Sequence, residues 1–134
     1  MKIDLKPLLK QAEEGYLIPC YDFDGKVNLF ARSHSGDTLL HVAVGRRNLE
    51  EVRYLVAKGV DINTKGDFFA TPLYQAARDC DVGMVGFLLK LGADPDIPDH
   101  LGEFPKDVLL RKIGELSESH LEHCRTWPIR GSSE

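Results

Sequence analysis

His120, His123 and Cys124 are the residues of this chain whose types and spacing come nearest to a reactive constellation. On a helix, His120 shares a face with both others through i,i+3 and i,i+4 spacing. Two imidazoles and a thiolate are three of the four ligands of tetrahedral zinc. No distant cluster supplies a fourth, so a solvated terminal helix is the competing reading and no metal is assigned. Asp22-Phe23-Asp24-Gly25-Lys26-Val27-Asn28 has the opening of a calcium loop. The twelfth position from Asp22 is Ser33, however, where the loop needs a bidentate glutamate, and a turn is the simpler expectation. Cys80 and Cys124 have no neighbour that would depress a thiol pKa. No nucleophile elbow, phosphate loop, dinucleotide fingerprint or zinc-protease helix occurs. No catalytic residue and no cofactor is assigned, so the chain reads as a non-enzyme.

The organising stretch lies between Gly36 and Asp96, where one pattern occurs twice. Subtracting 33 superposes Thr71 on Thr38, Leu73 on Leu40, Ala76 on Ala43, Val85 on Val52, Leu88 on Leu55, Gly92 on Gly59 and Asp94 on Asp61. A fixed period shared by caps, glycines and apolar positions signals stacked supersecondary units. Thr38 and Thr71 have the side chain of a helix N-cap, and Pro72 suits the first helical position. A short inner helix is predicted after each threonine, with Leu40 and Ala43, then Leu73, Ala76 and Ala77, on its apolar face. Asn48 starts an outer helix, with Glu51 three residues on completing a capping-box-like pair. Gly59 and Gly92 follow the last apolar residue, where a left-handed position reverses the chain.

These residues resemble the ankyrin repeat family. Thr71-Pro72-Leu73-Tyr74-Gln75-Ala76 is similar to its T-P-L-H-x-A signature with Tyr74 in place of histidine, whereas Thr38-Leu39-Leu40-His41 keeps the histidine. Gly59-Val60-Asp61-Ile62-Asn63 and Gly92-Ala93-Asp94-Pro95-Asp96 resemble the G-A-D-x-N segment behind the outer helix. Arg47 and Cys80 stand where the family usually has glycine between its paired helices, which implies a strained turn. His41 is expected to be a buried, hydrogen-bonded imidazole rather than a base. The resemblance implies an all-α, ankyrin-repeat solenoid of helix-turn-helix units whose concave face binds another protein. Its variable contact positions fall on His34, Ser35, Asp37, Gly45 and Arg46 in the first repeat. They fall on Asp67, Phe68, Ala70, Arg78 and Asp79 in the second, and on His100, Leu101 and Glu103 in the third. Phe68 and Phe69 occupy a turn tip where polar residues are usual. Exposed aromatics are typical interface anchors, although Phe69, in the position of Gly36 and Gly102, could instead fold back on the stack.

The ends depart from the pattern. Leu5, Leu8, Leu9 and Ala12 predict a helix, and Leu17 to Phe30, two β-prone runs around Asp24-Gly25, suggest a short β-hairpin or a partial outer helix. The organisation expected is one domain over 1–125: an irregular cap at 1–32, repeats at 33–65 and 66–98, and a modified C-terminal capping repeat at 99–125. A flexible tail follows at 126–134. Solenoid ends need such atypical units because the terminal core would otherwise meet water. No apolar run reaches a membrane span and the start lacks a signal-peptide core. Three widely spaced cysteines, Cys20, Cys80 and Cys124, fit reduced thiols. A cytoplasmic protein, monomeric when free, is expected.

A net charge of −4 argues against nucleic acid as the partner. The acidic residues Asp67, Asp79, Asp81, Asp94, Asp96, Asp99 and Glu103 would steer a basic protein. Among small bacterial ankyrin repeat proteins, which this chain resembles, are immunity proteins that occlude a cognate toxin. An immunity or inhibitor protein acting on a basic toxin or enzyme is the specific expectation. The alternative is a small metal-binding protein or metal-dependent enzyme using His120, His123 and Cys124.

Overall fold

A computed structural model describes residues 3–113. Among the described residues six α-helices occur in order: α1 (Lys6–Gly15), α2 (Leu39–Gly45), α3 (Leu49–Ala57), α4 (Pro72–Arg78), α5 (Val82–Lys90) and α6 (Pro105–Ile113). Helices α1, α2, α4 and α6 pack side by side as an inner row, while α3 pairs with α2 and α5 with α4 behind it. The 33-residue period therefore becomes one translational step of the stack. The His120, His123 and Cys124 cluster and the C-terminal tail lie outside the described residues.

Local signals set the helix boundaries. The Thr71 hydroxyl accepts from Tyr74 N–H at 3.1 Å, and the Asp81 carboxylate accepts from Met84 N–H at 3.2 Å. Asn48 caps α3 by accepting from Glu51 N–H at 3.0 Å. The reciprocal half of that box is not formed, because the Glu51 carboxylate turns away to meet Arg46 at 2.8 Å. Gly59 and Gly92 have φ of +99° and +101°, the chain reversal expected of them. Arg47 and Cys80 adopt φ of +59° and +56° without being glycine, and Leu17 takes the same conformation, +55°, behind α1.

The two central inner helices are short and buried nearly all round: every residue from Leu39 to Val44 and from Pro72 to Ala77 is buried. Alanine at positions 43, 76 and 77 lets neighbouring backbones approach. Leu55 and Leu88 close the layer behind them. Behind α1 no outer helix forms. Residues 16–32 run as turns that drop Ile18, Cys20 and Ala31 into the core. The expected hairpin shrinks to one antiparallel bridge, Tyr21 with Val27. The Asp22 carboxylate folds the loop on itself by accepting from Asp24 and Lys26 N–H. Asn28 starts another turn by accepting from Phe30 N–H, so no ladder propagates. The buried Cys20 thiol is pushed up to about 11 by burial, with the Glu13 charge adding to it.

Candidate functional site

Three loops project from the ends of the inner helices, at residues 33–37, 66–70 and 99–103. Each is closed by the same pair of backbone bonds: Ser33 to Asp37 and Gly36 to Ser33, Gly66 to Ala70 and Phe69 to Gly66, Asp99 to Glu103 and Gly102 to Asp99. Hydrogen bonds between repeats lace these fingers together. Arg32 donates to the Lys65 carbonyl at 2.7 Å, Asp67 N–H donates to Asp37 Oδ1 at 3.0 Å, and His100 N–H donates to the Phe68 carbonyl at 3.0 Å. The approach is close enough that a β-carbon at Gly66 would lie 2.8 Å from His41 Nε2.

His41 is the brace predicted for it. Its Nδ1 faces the Thr38 N–H at 3.1 Å, a group that can only donate, so Nδ1 accepts and Nε2 carries the hydrogen. That Nε2–H donates to the Ala70 carbonyl at 2.8 Å, tying one repeat to the next finger. Burial holds the imidazole pKa below its ordinary value, against the opposing effects of the Ala70 carbonyl and the Asp37 charge. Tyr74, one period on, does the same work with a longer arm. Its hydroxyl lies 2.8 Å from Asp99 Oδ2 and 3.2 Å from Glu103 Oε1. Burial foremost, then the two carboxylates, keep that phenol protonated far above the ordinary tyrosine range.

The expected contact residues divide into two groups. His34, Ser35, Asp67, Phe68, Phe69, Arg78, Asp79, His100 and Leu101 are exposed, and so is Gly45. Asp37 is half-buried and holds Asp67 in place. Three others are committed to the fold. Ala70 is 4% exposed, so its methyl offers a partner no surface. Arg46 donates to Glu51 and to Gln11 Oε1, with Glu51 only 2% exposed, and so neutralises a buried carboxylate. Glu103 is bound by Arg111 at 3.0 Å and by Tyr74. Several acidic residues expected to steer a partner are likewise occupied. Asp81 caps α5, and Asp99 accepts from Leu101 N–H, Glu103 N–H and Tyr74. Asp67 and Asp79 keep exposed carboxylates with no hydrogen bond or ion pair among the described residues.

Phe68 and Phe69 do not fold back: they are 60% and 57% exposed. Both have left-handed backbones, φ +57° and +61°, and Phe69 occupies the place where the neighbouring fingers have Gly36 and Gly102. Such conformations cost about 1–2 kcal/mol per β-carbon-bearing residue. The Phe68 ring lies against His100, centroids 4.9 Å apart, and Lys65 stands 5.6 Å over the Phe69 ring. The aromatic tip is thus propped from both sides rather than buried.

Beneath the tip lies a cavity of about 240 Å³, lined by Tyr16, Asp37, His41, Asp67, Phe68, Ala70, Gln75 and Arg78. Tyr16 and Gln75 were not anticipated. Gln75 had a readable signal, since it stands one period after Val42, a polar residue at an apolar position of the inner helix. Burial, then the Asp37 and Asp79 charges, raise the Tyr16 pKa, so its hydroxyl stays protonated and available as a donor.

The model of ankyrin repeats in three copies matches residues 8–99, reaching further toward the N-terminus than the repeat signature read from residue 33 onward. Among curated proteins, human protein phosphatase 1 regulatory subunit 27 is 38% identical over 69% of this chain and 60% of its own length. The mouse protein of the same name gives the same figures. Palmitoyltransferase AKR1 of Lachancea kluyveri is 47% identical over 47% of this chain but only 9% of its own length. The chain thus spans 60% or less of these relatives, all of which are eukaryotic, and they give the expected bacterial source no support. With the family model covering most of its length and the repeat geometry in place, the chain belongs to the ankyrin repeat family.

Proposed function

We propose that the chain is a non-catalytic protein-binding module that grips its partner with the finger tips and the exposed ends of the inner helices. The observation that carries this reading is the aromatic tip: two phenylalanines held exposed in left-handed backbone, at a cost to stability with no return in core packing. Within that class, occlusion of a basic enzyme, a toxin included, suits the exposed carboxylates of Asp67 and Asp79. The human relative's name, a phosphatase regulatory subunit, supports the same mode of action on an enzyme.

The test is capture by the immobilised chain from an extract of the source cells, with partners identified by mass spectrometry. Phe68→Ala removes an anchor and should weaken a captured partner by about 30-fold, the equivalent of a 2 kcal/mol hot spot. Its unfolding midpoint should stay nearly unchanged, since the ring is exposed. Asp79→Lys should slow association at low salt but not at high salt. Retention of the same partner by a Phe68→Ala, Phe69→Ala double variant would refute the tip as the contact.

A further inference from the structure

The cavity under the aromatic tip is chemically specific in a way that the protein-binding reading does not require. We infer that it receives the guanidinium of an arginine side chain presented by the partner protein. This inference rests on that reading and names what the surface recognises.

The walls are rich in acceptors. Asp37 uses Oδ1 for the Asp67 N–H, which leaves its second oxygen for a ligand. Asp67 has an exposed carboxylate engaged by no donor among the described residues. Gln75 is 8% exposed, and its amide nitrogen donates to the His41 carbonyl at 2.9 Å. A carbonyl oxygen can only accept, so its partner must be the amide nitrogen; this fixes the flip of the amide and assigns Oε1 as the other atom. That buried oxygen has no donor among the described residues. A buried acceptor without a partner is costly, and in a cavity it marks where a ligand's N–H belongs.

Charge and shape then select among donors. Two carboxylates against the single guanidinium of Arg78 leave the lining net negative, which disfavours an anion. Phe68 lines the same space, and its exposed ring is a π face within the reach of a bound side chain. A guanidinium presents a planar fork of five N–H donors and stacks on aromatic faces, whereas an ammonium is a compact, strongly hydrated point charge. Acceptors on separated residues beside a ring match the fork.

Titration of the full ¹⁵N-labelled chain with N-acetyl-arginine amide tests this, with the lysine and citrulline amides as arms. The arginine amide should give weak, saturable shifts at the Gln75 side-chain amide and the Asp67 and Phe68 backbone. The lysine amide should bind at least threefold more weakly, and neutral citrulline, of nearly the same shape, should not bind. Asp67→Asn should weaken the arginine amide at least fivefold without moving the unfolding midpoint, because that carboxylate holds nothing in the fold. Shifts of equal size with citrulline, or none at the cavity, would overturn the inference. If the arginine amide fails while Phe68→Ala still releases a captured partner, the cavity assignment falls and the protein-binding reading stands. If the partner is held by an arginine, its Arg→Lys variant should lose affinity for wild type but not for Asp67→Asn. Equal losses on both backgrounds would also overturn it.

Discussion

Replacing Arg47 by glycine should make the domain more stable, and the expected gain can be worked from the turn itself. Arg47 has φ +59° directly after α2, where a β-carbon crowds the following carbonyl. The relief from removing it is about 1–2 kcal/mol. Against this stands the lost contact with Asp81, a 3.8 Å pair whose arginine is 66% exposed, worth about 0–0.5 kcal/mol after solvent screening. Glycine also widens the unfolded ensemble, which costs about 0.4–1 kcal/mol. The backbone bond from Arg47 N–H to the Val44 carbonyl is retained. At the midpoints of these ranges the balance is a gain of about 0.5 kcal/mol, or a rise of about 1–4 °C in Tm for a domain of this size. Urea unfolding at equilibrium is the assay, with Gly59→Ala as the reverse control. That glycine has φ +99° and only the edge of the Phe30 ring, 3.9 Å away, near a new methyl. Its loss of stability would therefore report backbone strain rather than collision. A lower midpoint for Arg47→Gly, at unchanged m-value, would refute the strain reasoning.

Two further expectations follow from groups that serve the fold. Arg46→Met leaves Glu51 buried and unpaired, and should cost about 3–5 kcal/mol in urea unfolding, so weak capture by this variant would reflect unfolding rather than a lost contact. Tyr74→Phe should cost about 1–3 kcal/mol at neutral pH for the bond to Asp99 and flatten both pH limbs. Tyr74 is raised above its ordinary 10.0, so its contribution is complete below pH 10 and lost as pH climbs toward the folded value. Asp99 is lowered below 3.8: burial opposes ionisation, but bonds from Glu103 N–H, Tyr74 and Leu101 N–H outweigh it. Its contribution is present above pH 3.8 and lost as pH falls through the folded value. Unfolding midpoints from pH 3 to 11 that leave the variant and wild-type curves parallel would contradict both assignments.

The repeat was legible because its signals are local. A threonine cap, a glycine behind an outer helix and an alanine face depend on neighbours a few residues away, so Thr71, Gly59 and Ala76 could be assigned from spacing. The positive φ of Arg47 and Cys80 was legible too, since chain reversal demands it whatever residue is present. The commitments of Arg46, Ala70 and Glu103 were not, because each depends on a partner in another element. Arg46 looks like a solvated charge until Glu51 turns inward, and Glu103 looks free until Arg111 and Tyr74 reach it. The hairpin missed for a related reason: β-propensity describes fit to a sheet, and residues 16–32 have no neighbouring strand to pair with.

The distribution of strain separates fold from function. Left-handed conformation at Leu17, Arg47 and Cys80 recurs at one structural position, the turn behind an inner helix, and the reversal of the chain explains it at all three. At Phe68 and Phe69 that explanation is missing. The neighbouring fingers make the same closing bonds with Gly36 and Gly102 at the second of these positions, and with no left-handed residue at the first. A glycine-bearing tip would close finger 66–70 equally well and at lower cost. Two large rings, exposed, strained and propped by His100 and Lys65, are consequently surplus to the stack. On the proposed reading these rings serve what meets that tip, beside an acceptor-lined cavity that α2 and α4 share with finger 66–70.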